Sequence, residues 1–332
     1  MKGNGLLILV TGGTGFVGSH VVEGLVQQGH RVRCLMRNSS DDSRLAGLPV
    51  ERIRCGGLGD RDGLLHACKG VDAVCHLAGA TRALDAATYY QVNEGGTRAL
   101  LEACTEASPD LRRFVYCSSI AASGPAGAAG IISEASLPRP VSHYGWSKLA
   151  AEEHVRSYSA YFPTVILRPA PVYGPRDRDI LVFFRLVQRG FKVVPSPQPA
   201  RVALIYVTDL VRLVQKVLFD NRAVGETYLA CDGGAYDLDQ VLDTMAVVLQ
   251  RRALRVSIPA PILAAAAGAG ETWSHLTRRP ALLSRDKLLE MTQPSWACDP
   301  RKALEELDFA CQVDLRTGLT LAARWYQEQG WL

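Results

Sequence analysis

The sequence predicts an α/β fold with a doubly wound parallel sheet and a smaller C-terminal lobe. The first apolar run, residues 6–10, is short, rich in residues that favour strands, and followed directly by glycines. Such a run is typical of a strand buried on both faces of a parallel sheet. Apolar residues at helical spacing follow the glycines, so a helix is expected next. The 332 residues are enough for one large α/β domain or two unequal lobes.

Composition and charge exclude several classes of protein. The hydrophobic fraction of 48% and the charged fraction of 21% are those of an ordinary soluble globular protein. The net charge of +4 is small and the arginines are dispersed, so we expect no nucleic-acid partner. The nine cysteines form no C-x-x-C pair. We therefore expect reduced thiols, no metal site and a cytoplasmic location, with no signal peptide because the N-terminus enters the first strand directly.

The most hydrophobic later run covers residues 258–270 and contains two prolines. At about 13 residues it is too short to span a bilayer. A packed helix is the preferred interpretation, and contact with a membrane surface is the alternative. The sequence therefore predicts no transmembrane segment.

The glycine-rich turn after the first strand has the pattern of a phosphate-binding loop. Gly12, Gly15 and Gly18 form G-x-x-G-x-x-G between a predicted strand and a predicted helix. Glycine allows a tight turn and lets the backbone approach a pyrophosphate, whose charge then lies at the helix N-terminus. We predict a dinucleotide site here that also includes Phe16 and Val17.

The end of the second predicted strand, residues 31–36, indicates which dinucleotide is bound. In NAD-binding domains this strand commonly ends in an acid that accepts hydrogen bonds from the adenosine ribose. Here Met36 occupies that position and Arg37 follows. A guanidinium can pair with a 2′-phosphate through charge-assisted hydrogen bonds. We therefore predict NADP(H), bound in part by Arg37, with NAD as the alternative cofactor and a solvated arginine as the alternative interpretation.

Further strands are predicted at residues 50–55, 71–77 and 114–117. The second of these runs into Ala78 and Gly79, whose small size suits a place where the backbone passes close to a cofactor. His76 is interpreted as a packing residue and not as a base. Asn93 falls inside a predicted helix, where asparagine is slightly unfavourable and usually faces the surface, so its spacing assigns it no role.

A serine pair, a tyrosine and a lysine indicate proton-transfer chemistry. The strand 114–117 delivers Ser118 and Ser119, and Tyr144 and Lys148 lie four residues apart, leading into a predicted helix over 149–158. A nearby ammonium favours the phenolate and lowers the pKa of a tyrosine, and a serine hydroxyl can polarise the same substrate oxygen. An exposed pair on an amphipathic helix is the alternative.

Eight motifs, in this order, make the chain resemble the extended short-chain dehydrogenase/reductase family, which includes NAD-dependent epimerases and dehydratases. The resemblance spans nearly the whole chain. Its motifs are T-G-G-T-G-F-V-G (11–18), H-L-A-G (76–79), N-E-G-G-T (93–97), S-S (118–119), Y-G-W-S-K (144–148), L-R-P-A-P-V-Y-G-P (167–175), Y-V-T-D-L (206–210) and G-E-T-Y-L-A (225–230).

The resemblance implies a Rossmann-type sheet that carries the cofactor and a smaller lobe over the substrate. It implies that Tyr144 is the general acid/base and that Lys148 holds the nicotinamide ribose and tunes Tyr144. Ser119, and not Ser118, matches the catalytic serine. Nicotinamide cofactors carry the hydride chemistry themselves. Beside the glycine loop, Arg37, Tyr144 and Lys148, the cofactor-binding residues that the resemblance implies are Leu58, Leu77, Ala78, Gly79, Pro169 and Val172.

Departures from the pattern of sugar-nucleotide enzymes narrow the substrate class. Epimerases usually carry asparagine where this chain has Pro171, and a tyrosine–glycine pair where it has S-G (123–124). The Thr-Asp-Glu triplet of sugar dehydratases is replaced by S-I-A (119–121), and an adenine-side Gly-Asp by G-G (56–57). Together with Arg37, these differences resemble the branch of dihydroflavonol reductases and 3β-hydroxysteroid dehydrogenases.

The order of predicted elements divides the chain into two lobes. We predict a Rossmann domain over residues 1–175, to which 201–234 return, and a smaller substrate-binding lobe over 176–200 and 235–332. Within this second half, a proline-interrupted loop is predicted at 193–199 and a strand at 202–207. The apolar Trp273, Leu276 and Leu282 could wall a substrate pocket, but most such residues in a small lobe belong to its core.

The function hypothesis is an NADP-dependent oxidoreductase that interconverts a carbonyl and an alcohol on a fairly apolar small molecule, such as a sterol- or dihydroflavonol-like ketone. The alternatives are a sugar-nucleotide epimerase that retains its NAD(P), a cofactor-sensing protein without activity, and a lyase variant. The intact pair of Tyr144 and Lys148 weakens the sensing alternative. The family often dimerises through the helices that carry Asn93 and Tyr144, so a homodimer is the expected assembly.

Overall fold

Strands and helices alternate along the chain in the computed structural model, which describes residues 5–127, 130–196, 201–281 and 283–332. The strands are β1 (Leu7–Thr11), β2 (Arg31–Arg37), β3 (Val50–Cys55), β4 (Ala73–His76), β5 (Arg113–Cys117), β6 (Thr164–Pro169), β7 (Val172–Tyr173), β8 (Phe191–Ser196), β9 (Arg201–Val202), β10 (Ile205–Tyr206), β11 (Thr227–Ala230), β12 (Leu254–Pro259) and β13 (Ser295–Trp296). The helices are α1 (Phe16–Gln27), α2 (Arg61–Cys68), α3 (Ala86–Tyr89), α4 (Gly96–Ala107), α5 (His143–Ser157), α6 (Asp179–Gln188), α7 (Val207–Phe219), α8 (Leu238–Val248), α9 (Ala260–Thr277), α10 (Arg285–Met291), α11 (Arg301–Leu307) and α12 (Leu315–Glu328). A π-helical segment, Tyr90–Gly95, joins α3 to α4.

Seven strands form one central sheet in the order β3-β2-β1-β4-β5-β6-β11. Every pairing in this sheet is parallel, and the order reverses between β1 and β4. In open α/β sheets, such a reversal leaves a crevice at the carboxyl ends of the strands, where ligands bind. The predicted α/β fold with a Rossmann-type doubly wound sheet is confirmed.

Apolar side chains cover both faces of the central sheet. Along β1, Ile8 and Val10 enter one buried cluster, whereas Leu7 and Leu9 enter another on the opposite face. This alternation explains why β1 is apolar at consecutive positions, since neighbouring side chains of a strand point to opposite faces. A third buried cluster lies mainly among α6, α8 and α12 and packs around Tyr326.

The helix predicted at 149–158 begins six residues earlier, at His143. Ser142 is its N-cap, and the Ser142 hydroxyl accepts a hydrogen bond from the N–H of Gly145 at 3.0 Å. A serine N-cap satisfies one of the N–H groups that have no partner inside the helix. The cap places Tyr144 in the first turn of α5, one turn before Lys148.

The prediction of a loop at 193–199 is wrong for residues 193–196, because they belong to β8. Residues 197–200 lie outside the described part of the chain. Strand β8 pairs with β12 in a two-stranded parallel ribbon, with Pro195 opposite Ile258. Each strand of such a ribbon has an unpaired edge, so a proline without an N–H can be accommodated. The strand predicted at 202–207 is two short strands, β9 and β10, because Val207 already begins α7.

The hydrophobic run 258–270 forms the end of β12 and most of α9, so a helix is present there. The expectation that this helix is packed is wrong for most of the run, because Ala267 is its only buried residue. Across the residues that the structure describes, no helix has both the length and the apolar character needed to cross a membrane.

A buried ion pair attaches α5 to the sheet. The Arg168 guanidinium on β6 donates to both carboxylate oxygens of Glu152 on α5, at 2.8 and 2.7 Å, and neither side chain is more than 3% exposed. Ser118 donates a further hydrogen bond to Glu152 at 2.6 Å. Burial alone would raise the pKa of Glu152, but the bonds from Arg168 and Ser118 outweigh it and lower this pKa.

Replacing Glu152 by glutamine should lower the free energy of unfolding by about 3 kcal/mol, because the buried Arg168 would lose its counter-charge. Urea unfolding followed by circular dichroism measures this loss. The matched control is Arg156→Gln, since Arg156 also contacts Glu152 but its side chain is 44% exposed. The control should cost at most about 1 kcal/mol. Equal losses in the two variants would contradict a dominant role for the buried pair.

Candidate active site

The glycine-rich turn after β1 has no room for side chains at two of its positions. Gly12 has a φ of +71°, and a Cβ there would lie 2.7 Å from the backbone nitrogen of Ala78. A Cβ at Gly18 would collide with the carbonyl oxygen of Gly12, so glycine is needed for α1 to approach the turn. Gly15 is the N-cap of α1, whose first turn carries no acid. The N–H groups at this helix N-terminus therefore suit an anion.

Phe16 and Val17, the other predicted residues of this loop, form the first turn of α1. Val17 packs against the apolar cluster on one face of the sheet. The ring of Phe16 lies edge-on to His20, with 5.8 Å between the ring centroids. These contacts hold the first turn of α1 in place beside Gly15.

The residues that follow β4 lie against the glycine turn. The N–H of Leu77 donates to the carbonyl oxygen of Thr11 at 3.2 Å, and the N–H of Ala78 donates to the Thr11 hydroxyl at 3.1 Å. A Cβ added to Gly79 would lie 3.0 Å from Asn93 Oδ1 and 3.3 Å from Lys148 Nζ. The segment 77–79 therefore connects the glycine turn to α5.

Pro169 and Val172 lie at the same edge of the sheet. Pro169 is the last residue of β6 and is paired with Ala230 of β11. Val172 begins β7, is half-buried, and packs against the same apolar cluster as Val17. The structure thus gathers these predicted residues at the carboxyl ends of the strands, where the crevice lies.

Arg37 and Leu58 lie on the β2–β3 side of the crevice. Arg37 ends β2, is exposed, and has no ion-pair partner within the described parts of the chain. Its neighbour Arg54, in contrast, is paired with Asp42 at 3.1 Å. Leu58 is half-buried and packs against α4. The contact is close, since a Cβ added at Gly96 would lie only 2.7 Å from Leu58 Cδ1. Of the two arginines, Arg54 is thus occupied by Asp42, and the guanidinium of Arg37 remains available to an anion.

Ser119, Tyr144 and Lys148 meet where β5 ends beside α5. The Ser119 side chain interacts with the Tyr144 hydroxyl, and Lys148 lies one helical turn after Tyr144. Ser118 instead donates to the buried carboxylate of Glu152. The structure therefore brings together the three predicted residues and directs the neighbouring serine to a structural bond.

Burial dominates the protonation of this cluster. It raises the pKa of Tyr144 above the ordinary value, although the interaction with the Ser119 side chain acts in the opposite direction. The Lys148 ammonium donates to the carbonyl oxygen of Cys117 at 2.8 Å and lies 4.8 Å from the ring centroid of Tyr116. Burial lowers the pKa of Lys148 as well. The expectation that Lys148 lowers the pKa of Tyr144 is thus not met, because desolvation of the phenolate is the larger effect.

Asn93 is one of the site residues that sequence reasoning missed. It is 1% exposed in the π-helical segment before α4, not surface-facing as expected. Its side chain accepts from the N–H of Ala80 at 2.7 Å and donates to the Ser147 hydroxyl at 2.9 Å. Single π turns occur often at functional sites. The available signal was the N-E-G-G-T motif, whose two glycines are poor residues for a regular helix.

Two carboxylates from α10 reach the N-terminus of α5. Asp286 accepts hydrogen bonds from the N–H groups of His143 and Tyr144, at 2.6 and 3.3 Å. Glu290 accepts from the hydroxyl of the N-cap Ser142 at 2.6 Å. Negative charge is favourable at a helix N-terminus. The charge of Glu290 also contributes to the raised pKa of Tyr144. Both carboxylates lie more than 140 positions further along the chain, and no local pattern indicated them.

His76 is a structural residue, in agreement with the sequence interpretation. It is fully buried at the end of β4, with Nδ1 2.6 Å from the Thr11 hydroxyl and Nε2 2.9 Å from the Thr97 hydroxyl. Burial, followed by the charge of Lys148, lowers the pKa of His76 to about 3. The imidazole therefore stays neutral at ordinary pH.

These features define a class of protein. The glycine turn at the switch point fits a dinucleotide, because its backbone is open to a pyrophosphate and a helix N-terminus faces that position. Next to the turn, α5 carries a half-buried tyrosine beside a serine, with a lysine one turn away. This is the arrangement of a nicotinamide-dependent enzyme.

The chain belongs to the NAD-dependent epimerase/dehydratase family, whose sequence profile matches residues 8–231. It is an NAD(P)-dependent enzyme of the extended short-chain dehydrogenase/reductase type, and the resemblance seen in the motifs is confirmed.

Similar proteins carry names from both lipid and sugar-nucleotide chemistry. Ceramide reductase of Caulobacter vibrioides is 30% identical over 98% of this chain and 96% of its own length. Sterol demethylase protein B of Methylococcus capsulatus is 31% identical over 76% of this chain and 77% of its own length. The structure of MoeE5 in complex with UDP-glucuronic acid and NAD has a TM-score of 0.77 at 26% identity, covering 97% of this chain and 99% of that chain.

Acidification should destabilise the protein through His76. Its pKa is about 3 in the folded state, against an ordinary value of 6.5, so between these values only the unfolded chain binds the proton. Stability due to this group is lost as the pH falls below about 6.5, by about 2 kcal/mol between pH 7 and pH 5. Urea unfolding at both pH values should show this loss in the wild type and a smaller loss in His76→Gln. His66→Gln, at an exposed position, should keep the wild-type pH dependence. Identical pH dependence in wild type and His76→Gln would contradict the assignment.

Proposed function

We propose that the protein is an NADP(H)-dependent oxidoreductase that interconverts a carbonyl and an alcohol on a fairly apolar small molecule. The observation that carries this proposal is the position of Tyr144 beside Ser119, on a helix that also carries Lys148. In this proposal Tyr144 exchanges a proton with the substrate oxygen, Ser119 polarises that oxygen, and Lys148 holds the nicotinamide ribose. The bound nicotinamide supplies or accepts the hydride.

The protonation of Tyr144 supports the direction of carbonyl reduction. A raised pKa keeps the phenol protonated near neutral pH, so Tyr144 can donate a proton to the oxygen that gains negative charge. Ser119 can stabilise the same oxygen, since its side chain lies beside the Tyr144 hydroxyl. Asn93 acts as a positioning residue that joins the segment after Gly79 to α5 through Ser147.

The cofactor would be held along the edge of the sheet. We assign the pyrophosphate to Gly12, Gly15 and the first turn of α1, the adenosine side to Arg37 and Leu58, and the nicotinamide side to Leu77, Ala78, Gly79, Tyr144, Lys148, Pro169 and Val172. The free guanidinium of Arg37, in a position without an acid, supports NADP(H) over NAD.

An apolar substrate is supported by residue identities and by similar proteins. Pro171 stands where sugar-nucleotide epimerases usually have asparagine. Two similar proteins are named for ceramide and sterol chemistry, and both of those compounds are largely apolar. We therefore propose a sterol- or dihydroflavonol-like ketone as the substrate class.

Epimerisation of a sugar nucleotide is the second candidate, favoured by the likeness to MoeE5. That reaction would consume no NADPH overall.

Three broader expectations belong to this proposal. Residues 176–200 and 235–332 would form the substrate-binding lobe, supported by the separate apolar cluster around Tyr326. A homodimer would form through α4 and α5. A cytoplasmic location is supported by the nine cysteines, which are all free thiols in the described residues, because reducing compartments keep thiols reduced.

Replacing Tyr144 by phenylalanine should lower kcat for NADPH-dependent reduction of an apolar ketone by about a hundredfold or more, because the proton donor is lost. Affinity for NADPH should stay close to that of the wild type. Absorbance at the NADPH band measures turnover, and fluorescence titration measures binding. Tyr158→Phe, the same change just beyond the end of α5, is the control and should keep full activity. Undiminished turnover in Tyr144→Phe would overturn the proposal, and interconversion of a sugar nucleotide without NADPH consumption would favour the epimerase.

Replacing Arg37 by alanine should raise the Kd for NADPH about tenfold or more and leave the Kd for NADH unchanged, because only NADPH carries the 2′-phosphate. Arg31→Ala, at the opposite end of β2, is the matched control and should change neither constant. If wild type prefers NADH, or if Arg37→Ala leaves NADPH binding unchanged, the assignment to the 2′-phosphate is wrong.

A further inference from the structure

Helix α9 exposes an apolar stripe along its whole length. The residues that face away from the protein recur at i, i+4, i+7, i+11 and i+14 and are Ile262, Ala266, Ala269, Trp273 and Leu276. The three large side chains in this stripe, of Ile262, Trp273 and Leu276, are 59, 68 and 76% exposed. Trp273 and Leu276 therefore do not wall a closed pocket, and Leu282 lies outside the described residues.

The opposite face of α9 is the one that packs. Ala267 and Ser274 are buried, and Glu271 accepts a hydrogen bond from the N–H of Arg285 at 2.7 Å. Glu271 is the only acidic or basic residue in the helix apart from His275. A surface helix of a globular protein normally turns its apolar side inward and its polar side outward. Here the orientation is reversed, and exposed apolar patches of this kind mark interaction sites.

The neighbouring strand β12 extends the apolar surface. Leu254 and Val256 are 74 and 38% exposed, and they alternate with Arg255, which is paired with Asp239 at 3.0 Å. Strand β12 runs directly into α9. The surface formed by Leu254, Val256 and the stripe of α9 is called the α9 surface below.

Exposed arginines flank the α9 surface at both ends. Arg251 and Arg252 precede β12, and Arg278 and Arg279 follow α9. Within the described residues, none of these four has an ion-pair partner. The segment 251–279 contains five arginines and one glutamate, a net charge of +4, which equals the net charge of the whole chain. A net positive charge equal to that of the whole chain thus lies beside the exposed apolar face of α9.

We propose that the α9 surface binds the surface of an anionic lipid bilayer, with α9 lying in the plane of the interface. Interfacial helices bury tryptophan and leucine at the boundary between headgroups and acyl chains, and flanking arginines are attracted to anionic headgroups. Tryptophan at the position of Trp273 suits this boundary, where its ring is favoured. A second copy of the chain fits the surface poorly. Both ends of the stripe are positive, so pairing two copies in either orientation brings like charges together.

The α9 surface is linked to the candidate active site through one helix. Glu271 on α9 bonds to Arg285 at the start of α10, and the next residue, Asp286, accepts the N–H groups of His143 and Tyr144. A bilayer bound at α9 would therefore present apolar molecules near the site. This consequence rests on the proposed function, whereas lipid binding itself does not.

Vesicle flotation tests the proposal with the full-length protein. Wild type should float with vesicles of phosphatidylcholine mixed with phosphatidylglycerol, and poorly with phosphatidylcholine alone. The double variant Trp273→Ser/Leu276→Ser should lose flotation. Arg278→Gln/Arg279→Gln should weaken it by about thirtyfold, since each arginine near an anionic surface is worth about 1 kcal/mol. High salt should weaken wild-type binding in the same way.

The control is Tyr161→Ser/Leu304→Ser, which removes two large apolar side chains that are 62 and 50% exposed outside the α9 surface. It should float like wild type. Absence of wild-type flotation, or equal flotation of wild type and Trp273→Ser/Leu276→Ser, would overturn the proposal. A dimer in size-exclusion chromatography that this variant converts to a monomer, without flotation, would assign the surface to a second copy instead. No substrate is present, so the outcome is independent of NADPH turnover.

Discussion

Three stretches of backbone approach one another too closely to admit side chains, and the rest of the site depends on this contact. The turn at Gly12 lies against the backbone of Ala78, and Gly18 brings α1 onto the same turn. The contact can form only where β1 and β4 are adjacent, at the point where the strand order reverses. It therefore places a helix N-terminus, the end of β4 and the crevice of the sheet within one small volume.

Helix α5 is the second support of the site, and it is held at three levels. Ser142 and Asp286 bind its first N–H groups, Asn93 bonds to it through Ser147, and Glu152 joins its later turns to the sheet. These bonds come from different parts of the chain, so the orientation of the helix is a property of the whole fold. Because Ser142, Asn93 and Glu152 are buried and paired, losing one partner leaves another unsatisfied. This arrangement keeps the tyrosine and the lysine of α5 in a fixed relation to β5.

The protonation states of the site follow from burial more than from pairs of charges. His76 and Lys148 are buried bases, and burial lowers the pKa of each. Tyr144 is a half-buried acid, and the loss of solvation raises its pKa. Sequence spacing alone, which places an ammonium near Tyr144, predicts a lowered pKa for this tyrosine, the opposite of the direction in the structure. Sequence spacing shows which groups are neighbours, but the direction in which an ammonium points and the water that it displaces are set by packing.

Local patterns determined much of this protein. The apolar run of β1, the spacing of Gly12 and Gly18, and the serine, tyrosine and lysine motifs predicted the sheet, the cofactor turn and the three central residues, because each depends on neighbours within a few positions. The tertiary structure alone decided the burial of Asn93, the arrival of Asp286 at α5 and the outward orientation of the apolar face of α9. Each of these depends on contacts between segments that are far apart in sequence. Periodicity shows that a helix has an apolar face, but it does not show whether that face meets the core or solvent.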